Sequence, residues 1–261
     1  SLLNECGLIL ERRRLRAEKQ AIEMETQRER LRSNLLRAIS HDLRTPLTSI
    51  SGNAGVLMEK SISLDESKKQ EIYSSIYDDS MWLVNLTENL LSITRIENGT
   101  MHLQMNAELI DDVFREAISH VDRKASEHEI SIELADDFLM AKMDVRLIVQ
   151  VIINIVNNAI KYTPEGSHIC LSARKEKKMV LIRIADDGPG ISDEAKLHLF
   201  DMFYTADIGK ADSRRGLGLG LSLCKSIVDA HGGKISVSNN KPHGAVFTFT
   251  LPLEEVNFDH V

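Results

Sequence analysis

The sequence predicts a two-part α+β chain: an antiparallel helical hairpin that pairs with a second copy as a four-helix bundle, followed by an α/β sandwich. Three observations carry this. The 261 residues are enough for two ordinary domains. Up to about residue 97 apolar residues recur at helical spacing, and Asn98-Gly99 then breaks the pattern. Beyond that break the chain alternates short strand-like and helix-like stretches.

Within the first part, Leu8, Leu15, Ile22, Leu36, Leu43, Ile50 and Leu57 fall seven apart, with Glu29 interrupting. The second seam position is mostly charged until Ile39, so residues 1–30 read as a linker helix, either a weak coiled coil or a solvated single helix. The first long helix is expected to end near Glu59, with 61–63 as a connection and Asp65 capping the next helix. That second helix spans 65–97 and carries Ile72, Ile76, Leu83, Leu86, Leu90 and Ile93 on one side. One hairpin cannot bury both apolar stripes, and two hairpins in a homodimer can.

The first helix also holds Ser40-His41-Asp42-Leu43-Arg44-Thr45-Pro46-Leu47-Thr48. Leu31, Leu35, Ile39, Leu43 and Leu47 form its stripe and leave His41 off it. An imidazole beside a carboxylate is a candidate nucleophile, because near neutral pH much of it is uncharged. Pro46 removes one backbone donor and should loosen the helix a turn later.

In the second part, strands are expected at 101–105, 130–134, 169–173, 180–185, 234–237 and 246–251. Helices are expected at 109–126, 145–162, 193–199 and 217–231, gathered on one face of a mixed sheet. The helix at 145–162 sets Asn154 and Asn158 four apart, on one face of an otherwise apolar run, and buried amides call for partners. Lys161 and Tyr162 add a cation for phosphate and a ring for stacking. Asp186-Asp187-Gly188-Pro189-Gly190 follows a strand, as a tight turn with an acceptor for an exocyclic amine. Gly216-Leu217-Gly218-Leu219-Gly220 precedes a helix, where backbone N–H groups and the dipole favour phosphate, yet the spacing fits neither a dinucleotide fingerprint nor a P-loop. Between these loops, Phe200, Phe203 and Tyr204 precede a polar run, 205–215, with the character of a lid.

Composition narrows the function. A net charge of −7 and a pI near 5.7 disfavour nucleic acid as a partner. Cys6, Cys170 and Cys224 lack metal or redox spacing and suit a reducing, cytoplasmic compartment. The most apolar run, 147–160, is cut by Gln150, Asn154, Asn157 and Asn158, so no membrane segment is expected in this fragment. The chain begins at Ser, and it reads as a soluble piece excised from a longer protein.

In order and spacing these pieces resemble the H, N, G1, F and G2 boxes of sensor histidine kinases, over about residues 31–253. The stretch 221–233, with 29–32 upstream, resembles KdpD-type potassium and turgor sensor kinases most. The resemblance implies an α/β sandwich of the Bergerat (GHKL) ATP-binding type. It implies a linker at 1–30, a dimerisation and phosphotransfer domain at 31–98, a catalytic domain at 99–255 and a tail at 256–261. His41 is then the phosphoacceptor, Asp42 its orienting carboxylate and Thr45 the residue used for dephosphorylation. Asn158 ligates Mg²⁺ with Asn154 in support, Lys161 meets phosphate, and Tyr162 and Asp186 meet the adenine. Gly188 and Gly190 frame the base, and Gly218 and Gly220 the phosphates. ATP and Mg²⁺ are the implied cofactors, and an Asp on a response regulator receiver domain is the implied acceptor. Asp187 and Leu217 depart from that pattern, which more often has Asn and Thr or Ser there. Two rivals remain: a gyrase- or Hsp90-like ATPase without phosphohistidine, against which the His-Asp-x-x-Thr-Pro string argues, and a non-catalytic scaffold, against which Asn158, Asp186 and the glycine loops argue.

Overall fold

The computed structural model describes residues 19, 40, 43–59, 64–97, 103–121, 123–136, 138–205 and 218–254. The expectations for His41, Asp42, the Asn98-Gly99 break, Leu217 and most of the linker and lid fall outside these residues. The chain divides into two units, Ser1–Leu86 and Thr87–Val261.

In the first unit, helix α1 (43–58) is followed by α2 (Glu66–Glu97). Asp65 caps α2 as its sequence position predicts, its Oδ1 accepting from the Lys68 backbone N–H at 2.7 Å. The hairpin is pinned by Asn53 Nδ2, which donates to Ser75 Oγ at 3.1 Å. Leu86 is buried, whereas Tyr73, Tyr77, Met81 and Val84 are exposed along α2. Among the described residues these α2 side chains are open to solvent, as apolar groups seldom are over so long a stretch.

The second unit is a seven-stranded mixed sheet in the order β1-β3-β7-β5-β4-β2, with β6 also pairing β7. Its strands are β1 (Asn106–Leu109), β2 (Glu129–Leu134), β3 (Met140–Met143), β4 (His168–Glu176), β5 (Met179–Asp186), β6 (Ile235–Asn239) and β7 (Ala245–Glu254). Its helices are α3 (Ile110–Ser119), α4 (Val145–Tyr162), α5 (Asp193–His198) and α6 (Gly220–Ala230). Alternate strand residues (Ile169 and Leu171, Val180 and Ile182, Phe247 and Phe249) are buried, as the two-residue period of a strand requires. From the helices, Phe114, Ile148, Ile152, Ile155, Leu223 and Ile227 complete the core. Each such side chain contributes about 1.5–3 kcal/mol by leaving water. Cys224 lies wholly in this core, where burial pushes its thiol up to about 12, so it stays protonated and unreactive.

Four expectations are corrected. The first strand is Asn106–Leu109 rather than 101–105, paired antiparallel with Met140–Met143, a strand that the sequence does not announce. Both have four residues, and strands so short are set by their partners more than by propensity. The helix expected at 109–126 stops at Ser119, whose hydroxyl bonds back to the Glu116 carbonyl, and a 3₁₀ turn covers Arg123–Glu127. Helix α6 begins at Gly220, after a Gly218 with φ of 66° that no helix accommodates. Strand β6 is Ile235–Asn239 and runs two residues past the expected end.

His231 joins the end of α6 to the start of α4. Its Nδ1–H donates to the Ile227 carbonyl at 2.7 Å, and its Nε2 accepts from the Asp144 backbone N–H at 3.0 Å. Only the neutral ring does both, and burial holds its pKa below the ordinary 6.5. The unfolded chain takes up this proton near 6.5 and the folded chain only at lower pH. The stabilisation is therefore complete above 6.5 and is lost as pH falls from there through the lowered value. Melting temperature should drop between about pH 7 and pH 5, and His231→Gln should flatten that slope, which parallel thermal scans of both proteins will measure.

Candidate nucleotide site

Helix α4 supplies one wall. Asn154 and Asn158 lie half-buried on it, one turn apart. Asn154 Nδ2 is buried and makes no hydrogen bond of good geometry among the described residues, its side chain lying near the Cys224 thiol, a weak acceptor. An orphaned amide donor costs roughly 1–3 kcal/mol and marks a place where a polar ligand group belongs. At the exposed end of α4, Lys161 Nζ lies 5.2 Å from the Tyr162 ring centroid, a cation–π contact that sets charge and ring side by side.

Asp186 ends β5 and is buried. Its Oδ1 accepts from the Gly188 and Ala245 backbone N–H groups, both at 3.0 Å. Those two bonds fix the carboxylate plane and leave Oδ2 outside them, as an acceptor suited to an amine. The loop that follows is held from the β6–β7 turn. Asn240 Nδ2 donates to the Asp186 carbonyl, Asn239 Oδ1 accepts from the Ile191 N–H beside Gly190, and the His243 Nδ1–H donates to the Asp187 carbonyl at 2.6 Å. Asp187 Oδ1 accepts from the His168 N–H, so at this atypical position the carboxylate ties the loop to the start of β4.

The glycines serve close approach within the protein. A Cβ on Gly188 would lie 2.6 Å from Thr163 Cγ2, so the bare Gly188 lets the loop touch the end of α4. A Cβ on Gly218 would lie 2.5 Å from the Tyr204 carbonyl oxygen, and the Phe203 N–H donates to the Gly218 carbonyl at 3.2 Å. The two ends of the segment 205–217 thus meet at Phe203, Tyr204 and Gly218. Gly220, the first residue of α6, sits beside the Asn154 side chain. The eleven-residue α6 therefore starts next to the orphaned amide, where its N–H groups suit an anion.

The predicted residues Asn154, Asn158, Lys161, Tyr162, Asp186, Gly188, Gly190, Gly218 and Gly220 thus gather along α4, the β5 loop and the start of α6. Sequence reasoning missed Thr163, Asn239, Asn240, His243 and Ala245, which hold Asp186 and its loop. A turn signal was present in Asn239-Asn240-Lys241-Pro242-His243-Gly244, but nothing local joins it to residue 186. In the first unit Thr45 is exposed on α1. On α1 an open groove of about 740 Å³ runs along Ser40, Leu43, Arg44, Leu47 and Thr48.

A donor that lacks a partner, a pinned carboxylate and a helix start beside them suit an adenine nucleotide. Comparison with known families agrees. Residues 31–99 match the His Kinase A (phospho-acceptor) domain, and residues 143–255 match the Histidine kinase-, DNA gyrase B-, and HSP90-like ATPase family. The chain belongs to the sensor histidine kinases. It is 43% identical to the sensor protein KdpD of Clostridium acetobutylicum over 254 residues, which is 97% of this chain and 28% of that protein. Against the sensor protein KdpD of Escherichia coli K12 it is 33% identical over 243 residues, 93% of this chain and 27% of that protein. The chain thus spans little more than a quarter of these relatives. Among solved structures, histidine kinase ThkA in complex with the response regulator protein TrrA is similar at a TM-score of 0.63 and 27% identity, covering 87% of this chain and 64% of that one. A sensor histidine kinase core close to the KdpD type therefore joins a phospho-acceptor domain to an ATP-binding sandwich in this chain. No helix among the described residues is long and apolar enough to cross a membrane.

Proposed function

We propose that this chain autophosphorylates on His41 from Mg·ATP and passes the phosphoryl group to an Asp of a response regulator receiver domain. The observation that carries this is the Asp186 carboxylate, buried and held by the Gly188 and Ala245 N–H groups, in a chain that also contains a phospho-acceptor domain match around His41.

ATP supplies the γ-phosphoryl group, and Mg²⁺ offsets charge on its oxygens. Asp186 Oδ2 accepts from the adenine amine, Tyr162 covers the ring face and Lys161 meets phosphate. The donor set fits Mg²⁺ through few protein atoms. Among the described residues no group of three or more His, Cys, Asp or Glu gathers for a metal, and Mg²⁺ commonly keeps water and phosphate oxygens as ligands. Asn158 would hold it through its amide oxygen, with Asn154 donating alongside. Neutral His41 offers a ring nitrogen to phosphorus, and Asp42 accepts from the other ring N–H, which fixes the reactive tautomer. Thr45 follows His41 by four residues, the spacing of one turn were the helix continuous there, and its hydroxyl can orient water against the regulator's acyl phosphate, a phosphatase step.

The proposed division is a linker at 1–30, a dimerising phosphotransfer domain at 31–98, the catalytic domain at 99–255 and a tail at 256–261. The exposed Tyr73, Tyr77, Met81 and Val84 support a homodimer through α2. We place the fragment on the cytoplasmic side of a membrane-anchored parent.

With labelled Mg·ATP, His41→Gln should bind nucleotide yet take up no acid-labile, base-stable label. Asn158→Ala should lose autophosphorylation while His41 still accepts phosphate back from a phosphorylated regulator. Label on His41→Gln, or normal autokinase activity in Asn158→Ala, would refute these roles. Thr45→Ala should slow dephosphorylation of the regulator by about tenfold or more and keep autokinase within a few-fold, an effect the size of one lost water-positioning hydrogen bond. An unchanged dephosphorylation rate would remove Thr45 from the mechanism.

A further inference from the structure

His128 immediately precedes β2, far in sequence from every residue assigned to the nucleotide. Its Nε2 is 3.0 Å from Thr163 Oγ1, and that hydroxyl donates its own proton to the Ala159 carbonyl at 2.8 Å. With the hydroxyl proton committed, the ring nitrogen is the donor, so His128 carries its hydrogen on Nε2. The two bonds together fix the Thr163 side chain, which ends α4. Its γ-methyl is thereby held against Gly188, where even a Cβ would come within 2.6 Å. The Gly188 N–H in turn donates to Asp186 Oδ1 at 3.0 Å.

The backbone around His128 is stitched to the same region. The Gly166 N–H donates to the Glu127 carbonyl at 2.7 Å, and the Glu129 N–H donates to the Ser167 carbonyl at 3.0 Å. The His168 N–H then donates to Asp187 Oδ1. Residues 163–168 are therefore clamped between 127–129 on one side and 186–188 on the other. A shift of Gly188 would cost Asp186 one of its two backbone donors, and Thr163 is the side chain packed directly against Gly188, beside the restraints that Asn239, Asn240 and His243 place on the same loop.

We infer that His128 is a positioning residue for adenine recognition: through Thr163 and Gly188 it fixes the direction in which Asp186 presents its free oxygen. This rests on the reading of Asp186 as the adenine acceptor. His128 acts through Thr163 and belongs neither to the phosphoryl-transfer groups nor to the core. Its loss should thus appear in nucleotide affinity rather than in turnover.

The test is Mg·ADP affinity, the KM for Mg·ATP, kcat and apo melting temperature on the full chain, for five variants beside wild type. His128→Ala and Thr163→Val should each weaken Mg·ADP binding and raise KM by about three- to tenfold, the range of one neutral hydrogen bond, with kcat within about twofold. The double variant should be no weaker than the worse single one, because both changes cut one link. His128→Gln, whose amide N–H can stand in for Nε2–H, should bind within about twofold of wild type. Asp186→Asn separates the failures. If it loses affinity while His128→Ala and Thr163→Val bind normally, the inference is wrong and the Asp186 reading survives. If Asp186→Asn binds normally, the adenine reading falls and takes the inference with it. Additive losses in the double variant, or no recovery with Gln, would also overturn the link, and Thr163→Val carries the comparison alone if His128→Ala does not fold.

Discussion

A carboxylate can leave water only where donors meet its charge, and at Asp186 those donors are the backbone N–H groups of Gly188 and Ala245. One lies two residues on, in the same loop, and the other opens β7, so a single oxygen ties a loop to a central strand of the sheet. The β6–β7 turn adds Asn239, Asn240 and His243, and α4 adds Thr163. These bonds fix the carboxylate before any ligand arrives, so for the adenine role proposed for Asp186 little ordering would be left to oppose binding.

Helix α4 joins structure to chemistry. One face is aliphatic and buried with the sheet, and the other carries Asn154, Asn158 and Lys161. An apolar residue at 154 would remove the orphaned donor and favour folding, so the buried amide there is a local conflict in an otherwise consistent helix. Such conflicts are expected where a site has been built into a stable element. The glycines reflect the same economy. Gly188 and Gly218 are bare because a side chain or backbone of this chain already occupies the space a Cβ would need.

Much of this was legible in the sequence, for identifiable reasons. The four-residue spacing of Asn154 and Asn158 survives any detail of packing, because helix geometry alone puts them on one face. Asp186 at a strand end and the glycines before α6 were readable as local chemistry, and their order along the chain pointed to the family. Met140–Met143 was not readable, since four residues without alternation become a strand only because Asn106–Leu109 and β7 lie beside them. The restraint of Asp186 by Ala245 spans 59 residues, and that of Thr163 by His128 spans 35. Contacts of that range depend on sheet order and register, which no local pattern encodes. At Gly188 and Gly218 the structure shows a packing reason for glycine, where the resemblance implied framing of the base for the first and of the phosphates for the second.

On the function proposed above, Asp186, held by its two backbone donors, reads the adenine while the start of α6 and the Asn154 face meet the phosphates. A crystal structure of this chain with Mg·ADP tests it most directly. The adenine amine should lie within hydrogen-bond distance of Asp186 Oδ2, with Asn154 Nδ2 satisfied by a phosphate oxygen or a metal-bound water. A base seated away from Asp186, or an Asn154 amide still without a partner in the complex, would contradict it.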